Sequence, residues 1–168
     1  MNLRLFPLHL GVWEGTYTRI QPDGTITDRW HSRLSIKMSD TNKYHQVNEY
    51  TWDDGHYECH DFGVSFFNEK GELIFDNPRM KGKAWETENS VVLTWSYLDR
   101  PGSNLYELID LIGDNKHRIR VWKWSYNDIF EGLTMIDERK VAEVHEIPDS
   151  FWSEAAKNRF TGVSRSNR

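Results

Sequence analysis

A few charged and amide side chains, set among large aromatics, carry the chemistry open to this chain. Asp28 falls on the apolar face of an alternating segment, and Glu107 sits where either face could turn inward. A carboxylate held away from water is a candidate general acid or base, so Asp28 and Glu107 are the candidate catalytic residues. Arg19, Arg118 and Arg120 are natural partners for a ligand carboxylate or for Glu107. Gln46, Asn48 and Tyr50 recur at every second residue, so one strand face offers two amides and a phenol to orient a polar group. Tyr17, Trp30, Leu34, Trp95 and Trp122 supply apolar, mostly aromatic walls of the kind that line small-molecule pockets. These Arg, amide and wall residues form the candidate ligand-binding set.

A second cluster, His56-Tyr57-Glu58-Cys59-His60, places two imidazoles and a carboxylate on one strand face. Alternate residues on one strand lie about 7 Å apart, which strains a ligand triad drawn from a single strand. The preceding Asp54-Gly55 starts the cluster at a turn, in water. No metal site is therefore expected. No Gly-rich phosphate loop, Gly-x-Ser-x-Gly elbow or Cys-x-x-Cys occurs, and no cofactor is expected.

The elements that must hold these residues are strands. Turn signals recur at short intervals: Pro22-Asp23-Gly24, Asp53-Asp54-Gly55, Asn68-Glu69-Lys70-Gly71, Asp76-Asn77-Pro78, Pro101-Gly102-Ser103-Asn104 and Gly113-Asp114-Asn115. Between them the pattern predicts about ten strands: Val12–Ile20, Thr25–Met38, Tyr44–Trp52, Tyr57–Phe67, Glu72–Phe75, Met80–Trp85, Ser90–Tyr97, Leu105–Ile112, His117–Ser125 and Leu133–Val144. In the second, Ile26, Trp30, Leu34, Ile36 and Met38 share the inward face. In the first, Trp13, Gly15, Tyr17 and Arg19 do. The Arg118, Arg120, Trp122, Trp124 face is assigned inward. Short helices are expected at Leu3–Leu10 and at Ser150–Asn158, with Ser150 as N-cap.

Long two-faced strands with helices at the ends favour a closed barrel over a sandwich. The expected fold is all-β: a single antiparallel up-and-down β-barrel of about 8–10 strands, plugged by short terminal helices. The barrel domain spans 1–150, and a C-terminal helix and polar, frayed tail span 151–168.

Composition narrows the partners. The chain has 168 residues, a net charge of −5, 14% aromatic residues with 8 Trp, and a single cysteine, Cys59. One cysteine permits no internal disulfide, which makes a reducing, cytoplasmic location the expectation. Acidic balance argues against a nucleic-acid or anionic-membrane partner, and no apolar run reaches membrane-spanning length. The expected partner is a small hydrophobic molecule, with the chain a monomer or a homodimer.

The most specific motif is Leu10-Gly11-Val12-Trp13-Glu14-Gly15-Thr16-Tyr17-Thr18-Arg19. Gly11 lets the chain turn into the strand, and Gly15 leaves room for a neighbouring backbone. The motif resembles the opening Gly-x-Trp of the lipocalins and the wider calycin superfamily. That resemblance implies an arginine packed across Trp13, for which Arg139 is the candidate and Arg120 the runner-up. With the Gln46-Val47-Asn48-Glu49-Tyr50 stretch and Glu138-Arg139, residues 5 to 145 look like a cyanobacterial lipocalin-like family of unknown function. It is related in fold to the phycobilin lyases, which hold an open-chain tetrapyrrole and deliver it to a cysteine, but their longer motifs are absent.

The leading functional expectation is thus binding of a small, largely hydrophobic or tetrapyrrole-like molecule inside the barrel. The alternatives are a cofactor-independent lyase, isomerase or cyclase acting in the lumen, and a filled barrel that works as a protein-interaction module.

Overall fold

Turn residues and two-residue alternation produce one continuous hairpin ladder. A computed structural model describes residues 2–40, 42–161 and 165. Its strands are β1 Gly11–Ile20, β2 Ile26–Ser39, β3 Lys43–Thr51, β4 Tyr57–Phe67, β5 Leu73–Asp76, β6 Met80–Glu86, β7 Ser90–Tyr97, β8 Ser103–Ile112, β9 His117–Tyr126 and β10 Ile129–Ala142. Each strand pairs antiparallel with the next, and β1 pairs with β10, closing an up-and-down barrel. The fold is the one expected. The tightest hairpin, β9–β10, turns on Asn127 and Asp128, both at positive φ (47° and 63°), the geometry a two-residue loop needs to match strand twist.

Closure puts every inward side chain on one core. Trp13, Tyr17, Leu34, Leu105 and Ile136 are fully buried there with Trp30, Trp95, Trp122 and Trp124. In β8 the inward residues are Leu105, Glu107 and Ile109, while Tyr106 is exposed. In β9 the Arg118, Arg120, Trp122, Trp124 face is the buried one.

At the floor, a 3-10 turn over Phe6–His9 replaces the longer helix expected for Leu3–Leu10. The backbone N–H groups of Leu5 and Phe6 donate to Glu86 at 2.6 and 2.7 Å, which pins the turn beneath the barrel. The Trp13 indole N–H donates to the His9 carbonyl at 2.9 Å. The arginine over Trp13 is Arg118, its guanidinium 4.3 Å from the ring centre. Neither Arg139 nor Arg120 fills that place. Arg139 falls on the outer face of β10 and is exposed, because Thr134, Ile136 and Glu138 take the inward phase. Arg120 sits one inward position higher, near Tyr17 and Trp122.

Four more expectations are corrected. Ile26 is half exposed, because a register shift at Arg19/Ile20 breaks the alternation before β2 reaches its end. The C-terminal helix α1, Asp149–Ala155, does not plug the barrel. It lies on the outer wall, where Trp152 and Ala155 cover Val47 and Cys59. Its N-cap is Pro148, and Ser150 lies inside the first turn. The described part of the tail is docked: Arg159 pairs with Asp61 at 3.0 Å, Phe160 N–H donates to the Asp61 carbonyl at 3.2 Å, and Arg165 pairs with Asp54 at 2.8 Å. Residues 162–164 and 166–168 of the tail lie outside the described residues.

Candidate functional site

The inward face of β3 builds a polar ladder. The Tyr44 hydroxyl donates to Gln46 Oε1, the Gln46 side-chain amide to Asn48 Oδ1, and the Asn48 side-chain amide to the Tyr50 hydroxyl, each at 2.8 Å. Two-residue periodicity stacks these four groups one above another, so each satisfies the next. Burial raises the pKa of both tyrosines, which keeps them neutral donors and acceptors.

Facing the ladder across the lumen is an aromatic wall. Trp95 and Trp122 meet edge to face with ring centres 5.5 Å apart, and Tyr97 continues the wall at 6.4 Å from Trp95. Among the described residues the buried indole N–H groups of Trp30 and Trp122 have no acceptor, and that of Trp95 has only the Tyr97 hydroxyl nearby, outside good hydrogen-bond geometry. By contrast Trp124 donates to Thr134 at 2.8 Å and Trp52 to Asp28 at 3.1 Å. A buried donor left unpaired costs about 1–3 kcal/mol.

Between ladder and wall lies a cavity of about 70 Å³, lined also by Glu107, Arg120, His60, Phe62, Arg79 and Met80. A second space of about 50 Å³ lies below it, over His9 and Arg118. The two share Tyr44, Gln46, Phe75, Leu93, Glu107 and Arg120 as walls.

The buried charges at the cavity's base are balanced. Arg120 donates to Glu107 at 2.5 Å, to Glu138 at 3.1 Å and to the Tyr17 hydroxyl at 3.0 Å. Burial works against the Arg120 charge, but Glu107, Tyr17 and Glu138 outweigh it and hold its pKa well above the ordinary value. Arg118 is ion-paired with the other oxygen of Glu138.

The upper rim is built differently. Strand β5 is short and pairs with β4 only at Phe66–Ile74 and Phe67–Leu73, so β4 above these residues has no β5 neighbour. A side-chain bridge spans that part of the wall. Arg79, from the β5–β6 turn, donates to His60 Nδ1 at 2.8 Å. Arginine has only donors, so Nδ1 is unprotonated and the His60 proton sits on Nε2, which donates to Glu58 at 2.8 Å. Burial lowers the His60 pKa, Glu58 raises it and Arg79 lowers it, with a net fall.

The structure therefore gathers Gln46, Asn48, Tyr50, Trp95, Arg120, Trp122 and Glu107 around one cavity, and places Arg118 on the space beneath. Tyr17, Trp30 and Leu34 point inward but pack away from it; Tyr17 and Trp30 stack on each other at 5.2 Å. Arg19 is buried over the Trp124 ring at 4.1 Å. Asp28 is half-buried on a mouth groove with Trp52 and Arg165, apart from the cavity that holds Glu107. The two candidate catalytic carboxylates do not meet. His56, Glu58 and His60 do meet, but Glu58 binds both imidazoles and Arg79 takes the remaining His60 nitrogen. Among the described residues no group of three His, Cys, Asp or Glu is placed to hold a metal ion. Sequence reasoning missed His60, Phe62 and Arg79 as lining residues. The alternation of β4 could have offered His60, whereas Arg79 follows Asn77-Pro78 in a turn, where alternation says nothing.

No curated protein matches the chain. Among solved structures, a Nostoc punctiforme protein of unknown function from the DUF3598 family superposes with a TM-score of 0.61 at 17% identity, over 84% of this chain and 51% of its own. The chain thus spans about half the length of that relative. The M. tuberculosis protein Rv2717c gives 0.58 at 11% identity, over 82% of this chain and 95% of its own. An S-type phycobiliprotein lyase from Guillardia theta gives 0.57 at 12%, over 83% and 92%. At these identities the likeness is one of fold. Residues 2–143 match the family described as domain of unknown function (DUF3598), N-terminal, and the chain belongs to that family.

Proposed function

We propose that the barrel binds a small, largely apolar, planar molecule whose hydrogen-bond acceptors enter the cavity between the β3 ladder and the Trp95–Trp122 wall. The carrying observation is that Trp95 and Trp122 line this cavity while their buried indole N–H groups lack a well-formed hydrogen bond among the described residues. A ligand carbonyl, ring nitrogen or carboxylate would satisfy them, and the aromatic faces would hold its ring. The fold shared with a phycobiliprotein lyase is a reason to include bilins among the compounds tried.

Size sets a condition on this reading. A cavity of about 150 Å³ holds benzene, and drug-sized ligands occupy roughly 300–1,000 Å³. The cavity here is about 70 Å³, so a ring enters only if side chains at the upper rim move. Arg79, held there by one side-chain hydrogen bond, is the first of them.

The test is a titration with bilins, fatty acids, retinoids and terpenoid alcohols, followed by tryptophan fluorescence. Saturable quenching by one class, weakened in a Trp95→Phe variant, is the expected result. Absence of quenching by every class would overturn the reading. It would favour a second one, to which the small cavity already points: a filled barrel that acts through its outer surface.

A further inference from the structure

The four buried arginines of the barrel fall into two kinds. Arg118 and Arg120 at the base have carboxylate partners, Glu138 and Glu107. Arg19 and Arg79 have none within ion-pair distance among the described residues. Of these two only Arg79 lines the cavity, with 8% of its surface exposed. Its guanidinium lies 5.5 Å from the Phe62 ring centre and 5.6 Å from that of Tyr97, so aromatic faces flank the charge. Its one side-chain hydrogen bond goes to the His60 imidazole, whose far nitrogen meets Glu58, so no carboxylate touches the guanidinium directly and the rest of its donor fork is unbonded among the described residues.

The base of the same barrel pairs its two arginines with two glutamates, whereas the free Arg79 nitrogens keep access to the space beside them and have no carboxylate in contact. A guanidinium with no carboxylate in direct contact, on an aromatic-walled cavity, is complementary to a flat anion. We infer that the cavity selects a molecule bearing a carboxylate, with Arg79 as its counter-ion and the Trp95 and Trp122 N–H groups as acceptor-seeking donors deeper in. This rests on the binding reading above and names its ligand class. Arg79 thus has two states: bound to His60 when the cavity is empty, and turned to the carboxylate when it is filled.

The experiment compares two matched probe pairs, 2-naphthoate with 2-naphthylmethanol and dodecanoate with dodecanol, by tryptophan quenching on wild-type protein and on Arg79→Gln and Arg79→Lys. The acid of at least one pair should bind about tenfold or more tighter than its alcohol, the scale of one charge-assisted hydrogen-bonded pair. Arg79→Gln should erase that preference, so that acid and alcohol bind alike to the same variant, while Arg79→Lys keeps part of it. Acid and alcohol binding equally well would overturn the carboxylate inference and leave the binding reading standing. A preference that survives Arg79→Gln would overturn Arg79 as its source. If no probe of either kind binds the wild type, the binding reading falls and this inference with it. Should Arg79→Gln not fold, the acid-to-alcohol ratio on the wild type and on Arg79→Lys still decides.

Discussion

Glu138 is the residue on which the interior charge balance turns. It accepts from Arg118 with one oxygen and from Arg120 with the other, and it is fully buried. Removing one partner of a buried ion pair costs about 3–5 kcal/mol, because the charge left behind has no water to solvate it. Glu138→Ala should lose stability on that scale, read as a lower urea midpoint with an unchanged slope; a midpoint within error of wild type would contradict the pairing. Two of the three buried histidines, His9 and His60, give the pH dependence. His9 is held well below its ordinary pKa by burial first and Arg118 second, and His60 is lowered by burial against the pull of Glu58. Both bind more protons unfolded than folded, so stability rises with pH through this range. It should be flat from about pH 6.5, the unfolded histidine value, up to the thiol and phenol range where the raised Cys59 and tyrosines begin to cost stability, and decline as pH falls below about 6.5. Thermal melts of wild type and a His9→Gln, His60→Gln variant should show that decline reduced in the variant.

Among the elements, β1 carries the tightest constraint. A Cβ on Gly15 would stand 1.9 Å from the Asp137 carbonyl oxygen and 2.8 Å from Glu138 Cα, both backbone of β10. Backbone cannot step aside as a side chain can, so Gly15→Ala should cost at least the 1–3 kcal/mol typical of overpacking. Gly24→Ala meets no atom within 4 Å but sits at φ +88°, and should cost about 1 kcal/mol from backbone strain alone. Similar losses for the two would contradict the β1–β10 close approach. Gly15 was legible as room for a neighbouring strand, and the inward faces of β1, β2 and β9 were legible from alternation. What alternation could not supply was phase where both faces are apolar. In β10, Leu133 and Met135 alternate with Thr134 and Ile136, so the sequence did not reveal that Arg139 points out; Arg118 covers Trp13 instead. Nor does a helix pattern reveal its partner. α1 was expected at a barrel end, but its Trp152 meets the tilted His45 ring at 4.8 Å and receives Lys37 at 4.2 Å, both on the outer wall.

For the molecule as a whole, an interior that is aromatic in its upper half and ionic at its base leaves little empty space. Trp30, Tyr17, Trp122 and Trp124 fill the region above Arg120, and the cavity survives beside them where β4 lacks a β5 neighbour. Closure, strand number and aromatic content were readable from turn spacing and composition. The cavity's position was not, because it depends on the shortness of β5 and on a bridge, Arg79 to His60, between residues 19 apart in sequence. The likeness to barrels of other activities fixes none of these, since sites are grafted on folds independently of them. The central claim, a ligand satisfying Trp95 and Trp122, is tested most directly by the indole N–H resonances of 15N-labelled protein, assigned by Trp→Phe variants. On saturation with whichever compound quenches fluorescence, the Trp95 and Trp122 resonances should move as they gain an acceptor. Those of Trp13 and Trp124, already bonded to His9 and Thr134, should stay in place. Movement confined to other indoles, or none at saturation, would contradict it.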